Sequence, residues 1–260
     1  MRRRFSFLTM ALVLICSITA FAAMVEISED GQYVVAKGWG HPDQAYGLGI
    51  RAAELDAYRK AQEQVDEIRI SSDTTVKDGM TSDVMKSKMT YVVKRARIID
   101  EGRDSEGYYA RVRIPIWGTQ SSVASVVLPK NTTVESFPAP KFPQPVGTVS
   151  GYTGLIVDCR GLGLTNAMSP VIKDDSGQPI YGYKNLNYDN VIIQGMASYT
   201  TSLNQNVSRA GSNPLVVKAV KVTGNGAKCD PIVSAADASK ILSANEVGHF
   251  LDKCAVVFVK

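Results

Sequence analysis

At 260 residues the chain has room for one large domain or two small ones, and its 45% apolar and 21% charged content excludes a disordered or fibrous protein. The formal net charge of +4 overstates its basicity. Arg2, Arg3 and Arg4 precede a mostly apolar run over residues 5–18 and the small residues Ala20, Ala22 and Ala23, so residues 1–22 read as a secretory signal peptide. Without them the net charge falls to +1, which removes the argument for a nucleic-acid partner.

The apolar run is too short for a comfortable membrane span. Cys16 lies inside it, but Ile15 fits poorly before a lipidated cysteine, so no lipid anchor is expected there. Cys159, Cys229 and Cys254 remain in the exported chain. An oxidising compartment permits a disulfide, three thiols leave at least one unpaired, and their spacing gives no connectivity.

Residues 24–30 are a short lead-in. Tyr33, Val34, Val35 and Ala36 predict a strand that ends at Gly38 and Gly40. Pro42 fits the first turn of a helix, and residues 44–65 are strong helix formers. Leu48, Ala52 and Leu55 form one apolar line, and Ala45, Ala53, Ala57 and Ala61 an adjacent one. Together they predict a wide, mostly small stripe that lets the helix axis approach a sheet. Residues 67–77 alternate, with Ile68, Ile70, Ser72, Thr74 and Val76 on one side, which predicts a strand. A second helix is expected over residues 81–92 with Ser82 as its cap, then strands over 94–101 and 108–116 joined by a hairpin loop.

From Trp117 to Ser150 the composition changes. Pro129, Pro138, Pro140, Pro143 and Pro145 mark a linker or an extended crossing segment. The second half opens with Gly154 to Cys159, a buried-strand signal. Val171 to Lys173 and Pro179 to Tyr181 flank a turn at Asp174-Asp175-Ser176-Gly177, hence a hairpin. Residues 188–208 read as helix or mixed structure, 215–222 as a strand, 235–242 as a helix capped by Ser234, and 254–259 as a terminal strand. The fold class expected is α+β. Residues 24–117 and 151–260 form two small domains, each a helix-covered mostly antiparallel sheet, and residues 118–150 form a Pro-rich linker.

No catalytic constellation stands out. His41 and His249, the only histidines, have no metal-ligand neighbours in sequence, and there is no CxxC, so no metal site is expected. Asp174, Ser176 and Gln178 alternate like a calcium loop but lack its length and its distal Glu; a plain turn is the expectation. Arg160-Gly161-Leu162-Gly163 is not a dinucleotide or P-loop fingerprint and reads as a strand-end turn. There is no G-x-S-x-G and no H-E-x-x-H. Lys86, Lys88, Lys94, Arg95 and Arg97, with Tyr91 among them, read as a solvated face.

The pattern Gly38-x-Gly40, then Ala52-Ala53-x-x-Asp56-Ala57-x-x-x-Ala61, then Val65 and Ser71-Ser72-x-Thr74-x-Val76, then Gly107-Tyr108-x-Ala110-x-Val112, resembles a known module. It is similar to the Lpp-twenty family of bacterial envelope lipoproteins and to the N-terminal domain of flagellar assembly protein T, over about residues 31–116. The resemblance implies an exported α/β module of helices on a sheet, with no catalytic residues to carry over. The expected function is therefore a non-enzymatic, periplasmic or cell-envelope module for protein interaction or assembly. It would be flagellum- or outer-membrane-associated, with envelope or flagellar proteins as partners, peripheral membrane association allowed, and no cofactor. The alternative is a periplasmic protein that binds a small ligand or glycan in an interdomain cleft lined by Trp39, Trp117, Tyr181, Tyr183 and Tyr188. A hydrolase ranks third.

Overall fold

The computed structural model describes residues 25–28, 31–149 and 151–260. The signal peptide expected over residues 1–22, Cys16 included, lies outside the described residues.

The first half is one antiparallel sheet under helices. Its strands are β1 (Val25–Ile27), β2 (Tyr33–Gly40), β3 (Arg97–Asp104) and β4 (Gly107–Pro115), in the order β1-β2-β4-β3. The residues expected to be a mere lead-in thus supply an edge strand. Between β2 and β3 run α1 (Tyr46–Glu67), the single turn α2 (Val76–Gly79) and α3 (Asp83–Lys94), the last capped by Ser82 as expected. Pro42 lies in the turn before α1, not in its first turn.

Helix α1 lies on β2 with almost no side chain between them. The face it buries is Gly49, Ile50, Ala53, Ala57, Ala61 and Val65, close to a four-residue step throughout. The other expected line is open: Leu48 is 67% and Leu55 55% exposed. The reason is space. A Cβ at Gly38 would stand 2.1 Å from the Ala57 nitrogen, and one at Gly40 would stand 2.0 Å from the Gly49 oxygen. Such an approach admits alanine and rejects leucine. The helix also completes the edge of β2. β1 pairs only with Val34, Val35 and Ala36. Beyond it the Trp39 N–H donates to Asp56 Oδ2 (3.0 Å) and the Lys60 ammonium to the Lys37 carbonyl (3.4 Å). Burial raises the Asp56 carboxyl, but bonds from Lys60, Arg59 and the Trp39 amide outweigh it and hold it below its ordinary value.

The strand expected over residues 67–77 does not form. Helix α1 extends through Glu67, and a loop closed by one bridge, Arg69 to Thr75, leads into α2. Thr75 caps α2 in a reciprocal box with Asp78. The alternation is real, since Ile68, Ser72 and Val76 are buried. What it records is a loop docked on the second half: Met168 and Ser169 donate to the Arg69 and Ile70 carbonyls, Gly226 and Ala227 to that of Ser72. An extended loop whose backbone is satisfied elsewhere has the burial period of a strand.

Residues 118–149 are an extended crossing segment firmly tied down. After the short α4 (Val123–Val127), whose Val123, Ala124 and Val127 are buried, the chain runs as a strap over the second half. Glu135 N–H donates to Lys184 O, Phe142 N–H to Ser239 Oγ and Gln144 N–H to Ser243 Oγ. Phe137 stacks on Tyr181 at 6.5 Å. Prolines suit such a strap because they hold it extended and bring no N–H that needs a partner. Lys141 Nζ reaches Asp174 Oδ2 at 2.6 Å. Burial raises the Asp174 carboxyl, but bonds from Lys141, Ser176 and the Gln178 amide prevail and hold it at about 2. A depressed carboxyl contributes stability that is complete above its unfolded value of 3.8 and is lost as pH falls toward about 2. Amide exchange at residues 141–144 should therefore accelerate selectively below pH 3.8, and Asp174→Asn should accelerate it at neutral pH.

The strap ends in α5 (Val146–Val149). Then follow β5 (Gly154–Asp158), β6 (Ile172–Asp174), β7 (Pro179–Tyr181), α6 (Tyr188–Gln194), β8 (Ser198–Thr200), β9 (Pro214–Lys218), β10 (Lys221–Thr223), β11 (Asp230–Val233), α7 (Ala235–Gly248) and β12 (Val256–Val259). The molecule is thus mixed α+β. The expectation of a mostly antiparallel second half is overturned: the sheet β8-β12-β5-β9 is parallel throughout, and β6 also pairs parallel with β11. β12 is buried at every residue and β5 at all but its last. Covered on both faces, these strands are continuous apolar runs, which carry no sign of direction. The strand expected over 215–222 is two. At Ala219 and Val220 the chain leaves one sheet for the other, Ala219 N–H bonding Asp158 O and Val220 N–H bonding Ile232 O. The hairpin of β6 and β7 is as expected.

Cys159, Cys229 and Cys254 are all unpaired and buried. Burial pushes the Cys159 and Cys229 thiols up to about 12 and that of Cys254 to about 11. A thiolate-seeking reagent at mildly alkaline pH should label none of the three in the native protein within minutes and all three in denaturant. Fast native labelling of any one would contradict their burial.

Candidate functional site: a cleft between the two halves

A wide opening lies where the first half meets the edge strand β8 and the residue after β12. It measures about 730 Å³. Its floor on one side is β8 (Ser198, Tyr199, Thr200) with Lys260 after β12 and the loop after β5 (Leu164 to Met168). On the other side stand Ile27, Gln32 and Trp117 from the first half, with Gln64, Glu67, Ile68 and Arg69 from the end of α1 and its loop. A second lobe of about 480 Å³ shares Ser28, Gln32, Ser198, Tyr199 and Asn206 and ends on Ser208 and Arg209. The placement follows from the sheet. β8 is the edge of its sheet, so the first half can approach it sideways and leave a crevice along its length.

Tyr199 is fixed at the junction of the lobes. Its hydroxyl donates to Ala167 O (2.8 Å) and accepts from Ala167 N–H (3.0 Å), which holds the Leu164–Met168 loop to β8. Its ring packs against Phe258 at 5.5 Å. Burial drives its phenol far above the ordinary value, so it stays neutral. Lys260 Nζ donates to Asn166 Oδ1 (2.9 Å), and its N–H to Thr200 O. Ser198 Oγ is buried at the wall with no hydrogen-bond partner. The lining is chemically mixed: hydroxyls and amides at the walls, Trp117 and aliphatic side chains beneath. That composition suits a polar ligand with an apolar face.

Of the five aromatics expected to line such a cleft, Trp117 alone does so. Trp39 stands on the outer face of the first sheet, with the Lys37 ammonium 3.9 Å from its ring centroid. Tyr181 is wholly buried under the strap and donates to Met196 O (2.6 Å). Tyr183 donates to Pro129 O, and Tyr188 opens α6 beneath Lys130. Tyr199, which the sequence does not single out, is the second aromatic of the cleft. Its stretch reads as mixed structure, and no local pattern places it opposite Trp117.

The remaining sequence candidates stay apart. His41 lies in the turn after β2 and His249 at the left-handed end of α7. Among the described residues no group of three or more His, Cys, Asp or Glu side chains could hold a metal ion. Asp174 Oδ1 accepts from Ser176 N–H, Ser176 Oγ and Gln178 N–H, the plain turn expected there. Arg160 folds back onto both carboxylate oxygens of Asp158. No helix among the described residues is long and apolar enough to cross a membrane.

Residues 154–260 match the family described as the second domain of Treponema pallidum Tp0624. The match begins at the first residue of β5 and runs past β12, so it contains the whole parallel sheet, its partner sheet and the β8 wall of the cleft. It leaves out the strap and the first half. No curated protein matches the chain.

Proposed function

We propose that this is an exported, non-enzymatic envelope protein built of two small α+β domains, and that it acts by holding a small polar ligand or glycan in the cleft between them. One observation carries the reading: an opening of about 730 Å³ runs along the edge strand β8 to Lys260 after β12, faced by Trp117 from the other half. The signal peptide read in residues 1–22 supports export, and the likeness of residues 154–260 to a second domain supports the division into two units. The resemblance of residues 31–116 to Lpp-twenty-like modules supports an envelope setting. Trp117 is a built-in reporter. Its fluorescence should shift on titration with glucose, N-acetylglucosamine or their β-linked tetramers, and should stop shifting in a Trp117→Phe variant. No response to any of them at millimolar concentration would sink the cleft reading.

A second reading, assembly through protein partners from the envelope or the flagellum, draws on a different surface. Between α1 and α3 runs a groove of about 720 Å³ over Leu55, Tyr58, Met80, Met89 and Val93, with Leu48, Val84 and Tyr91 exposed nearby. Exposed apolar side chains concentrated on one side are the mark of a contact surface. If Leu48→Glu and Leu55→Glu together leave every envelope partner recovered by affinity capture unchanged, that groove is not the contact.

A further inference from the structure

The second lobe of the cleft ends on Arg209, a cation paired with no carboxylate among the described residues. Arg209 is partly buried, and its guanidinium donates to three main-chain carbonyls: Gly195 and Cys254 at 3.1 and 3.2 Å, and Gln194. No carboxylate among the described residues bonds or pairs with it. The carbonyls of Gln194 and Gly195 close α6, so Arg209 ties the end of that helix to the start of β12. Those carbonyls at the end of α6 offset part of its charge, and the rest is met by no carboxylate among the described residues. Burial pulls the guanidinium below its ordinary value, the sign of a charge short of compensation. Ser198 lines the same lobe, and its buried hydroxyl has no partner. A buried polar atom left unsatisfied in a wall is costly unless something enters to meet it.

We propose that the Arg209 lobe is an anion subsite and that the cleft takes a carboxylate-bearing sugar. The carboxylate lies at Arg209, where a guanidinium offers planar N–H donors matched to its two oxygens, and takes a further hydrogen bond from the Ser198 hydroxyl. The sugar ring extends into the larger lobe, toward Trp117 and the amides of Gln64 and Asn166. This inference rests on the cleft reading and adds the charge of the ligand to it.

The test is a matched pair of probes, glucuronate and glucose, which differ at one carbon. Calorimetric titration of the full exported chain should give glucuronate at least about tenfold tighter binding than glucose, the size expected of one charge-assisted hydrogen-bond pair. The difference should shrink at high salt. Ser198→Ala should weaken glucuronate several-fold and leave glucose unchanged. Arg209→Lys keeps the charge but loses the planar fork, and should erase most of the preference; circular dichroism confirms that it folds. Equal affinity for the two probes overturns the anion subsite while the cleft reading stands. A preference unchanged in both variants overturns it as well. Binding of neither probe overturns both.

Discussion

Gly38→Ala should destabilise the protein by about 3 kcal/mol, at the upper end of what one added methyl group does in a packed interior. The new Cβ would fall 2.1 Å from the Ala57 nitrogen and 2.2 Å from the Ala53 oxygen. Both are backbone atoms of α1, so no side chain can swing aside, and the whole helix must lift from β2. With it would go the Asp56 bond to the Trp39 amide and the Lys60 bond to the Lys37 carbonyl. Gly47→Ala makes the matched control. Nothing lies within 4 Å of its Cβ position, and alanine is the better helix former, so it should be neutral or stabilise by up to about 1 kcal/mol. Denaturant unfolding of the two variants should move in opposite directions. A Gly38→Ala protein as stable as the parent would show that α1 does not lie on β2 in this way.

Trp117→Ala should cost about 3–5 kcal/mol, the range for deleting a large buried aromatic side chain. The ring is 7% exposed and fills the junction of the halves, and a Cβ on Gly195 would come within 3.1 Å of it. The neighbouring Gly118 N–H bonds Ile192 O, so the Trp117 segment is held to α6 by backbone as well as by packing. Trp117→Phe should cost clearly less, because the smaller ring keeps most of the contact. A loss below about 1 kcal/mol for the alanine variant would mean that the halves do not depend on this contact.

The sequence is most informative where a signal is local. Ser82 and Ser234 cap the helices expected after them, the turn at Asp174 is a turn, and the apolar run after Thr153 is a strand. It is least informative where the decisive partner is remote. Residues 67–77 alternate because one side of a loop faces Met168 and Gly226, a contact no local period can reveal. Residues 215–222 read as one strand because they stay apolar apart from Lys218 and Lys221. The change of sheet at Ala219 is set by Asp158 and Ile232 on either side, both far away in the chain. The small face of α1 is legible as small. That Leu48 and Leu55 are excluded from it is not, because the excluding atoms belong to Gly38 and Gly40. The cleft is least legible of all. Trp117 belongs to the first half and Tyr199 and Arg209 to the second, and no local pattern shows that they meet.

The strap has a consequence for how the molecule comes apart. A flexible tether would let the halves melt independently. Here the connecting segment is hydrogen-bonded to α7 through Ser239 and Ser243, and buried side chains run without a break from Val34 in β2 to Phe258 in β12. The two halves are then one cooperative unit: heating should give a single calorimetric transition with equal calorimetric and van't Hoff enthalpies. Damage to the first sheet would be felt as loss of the parallel one at the same temperature.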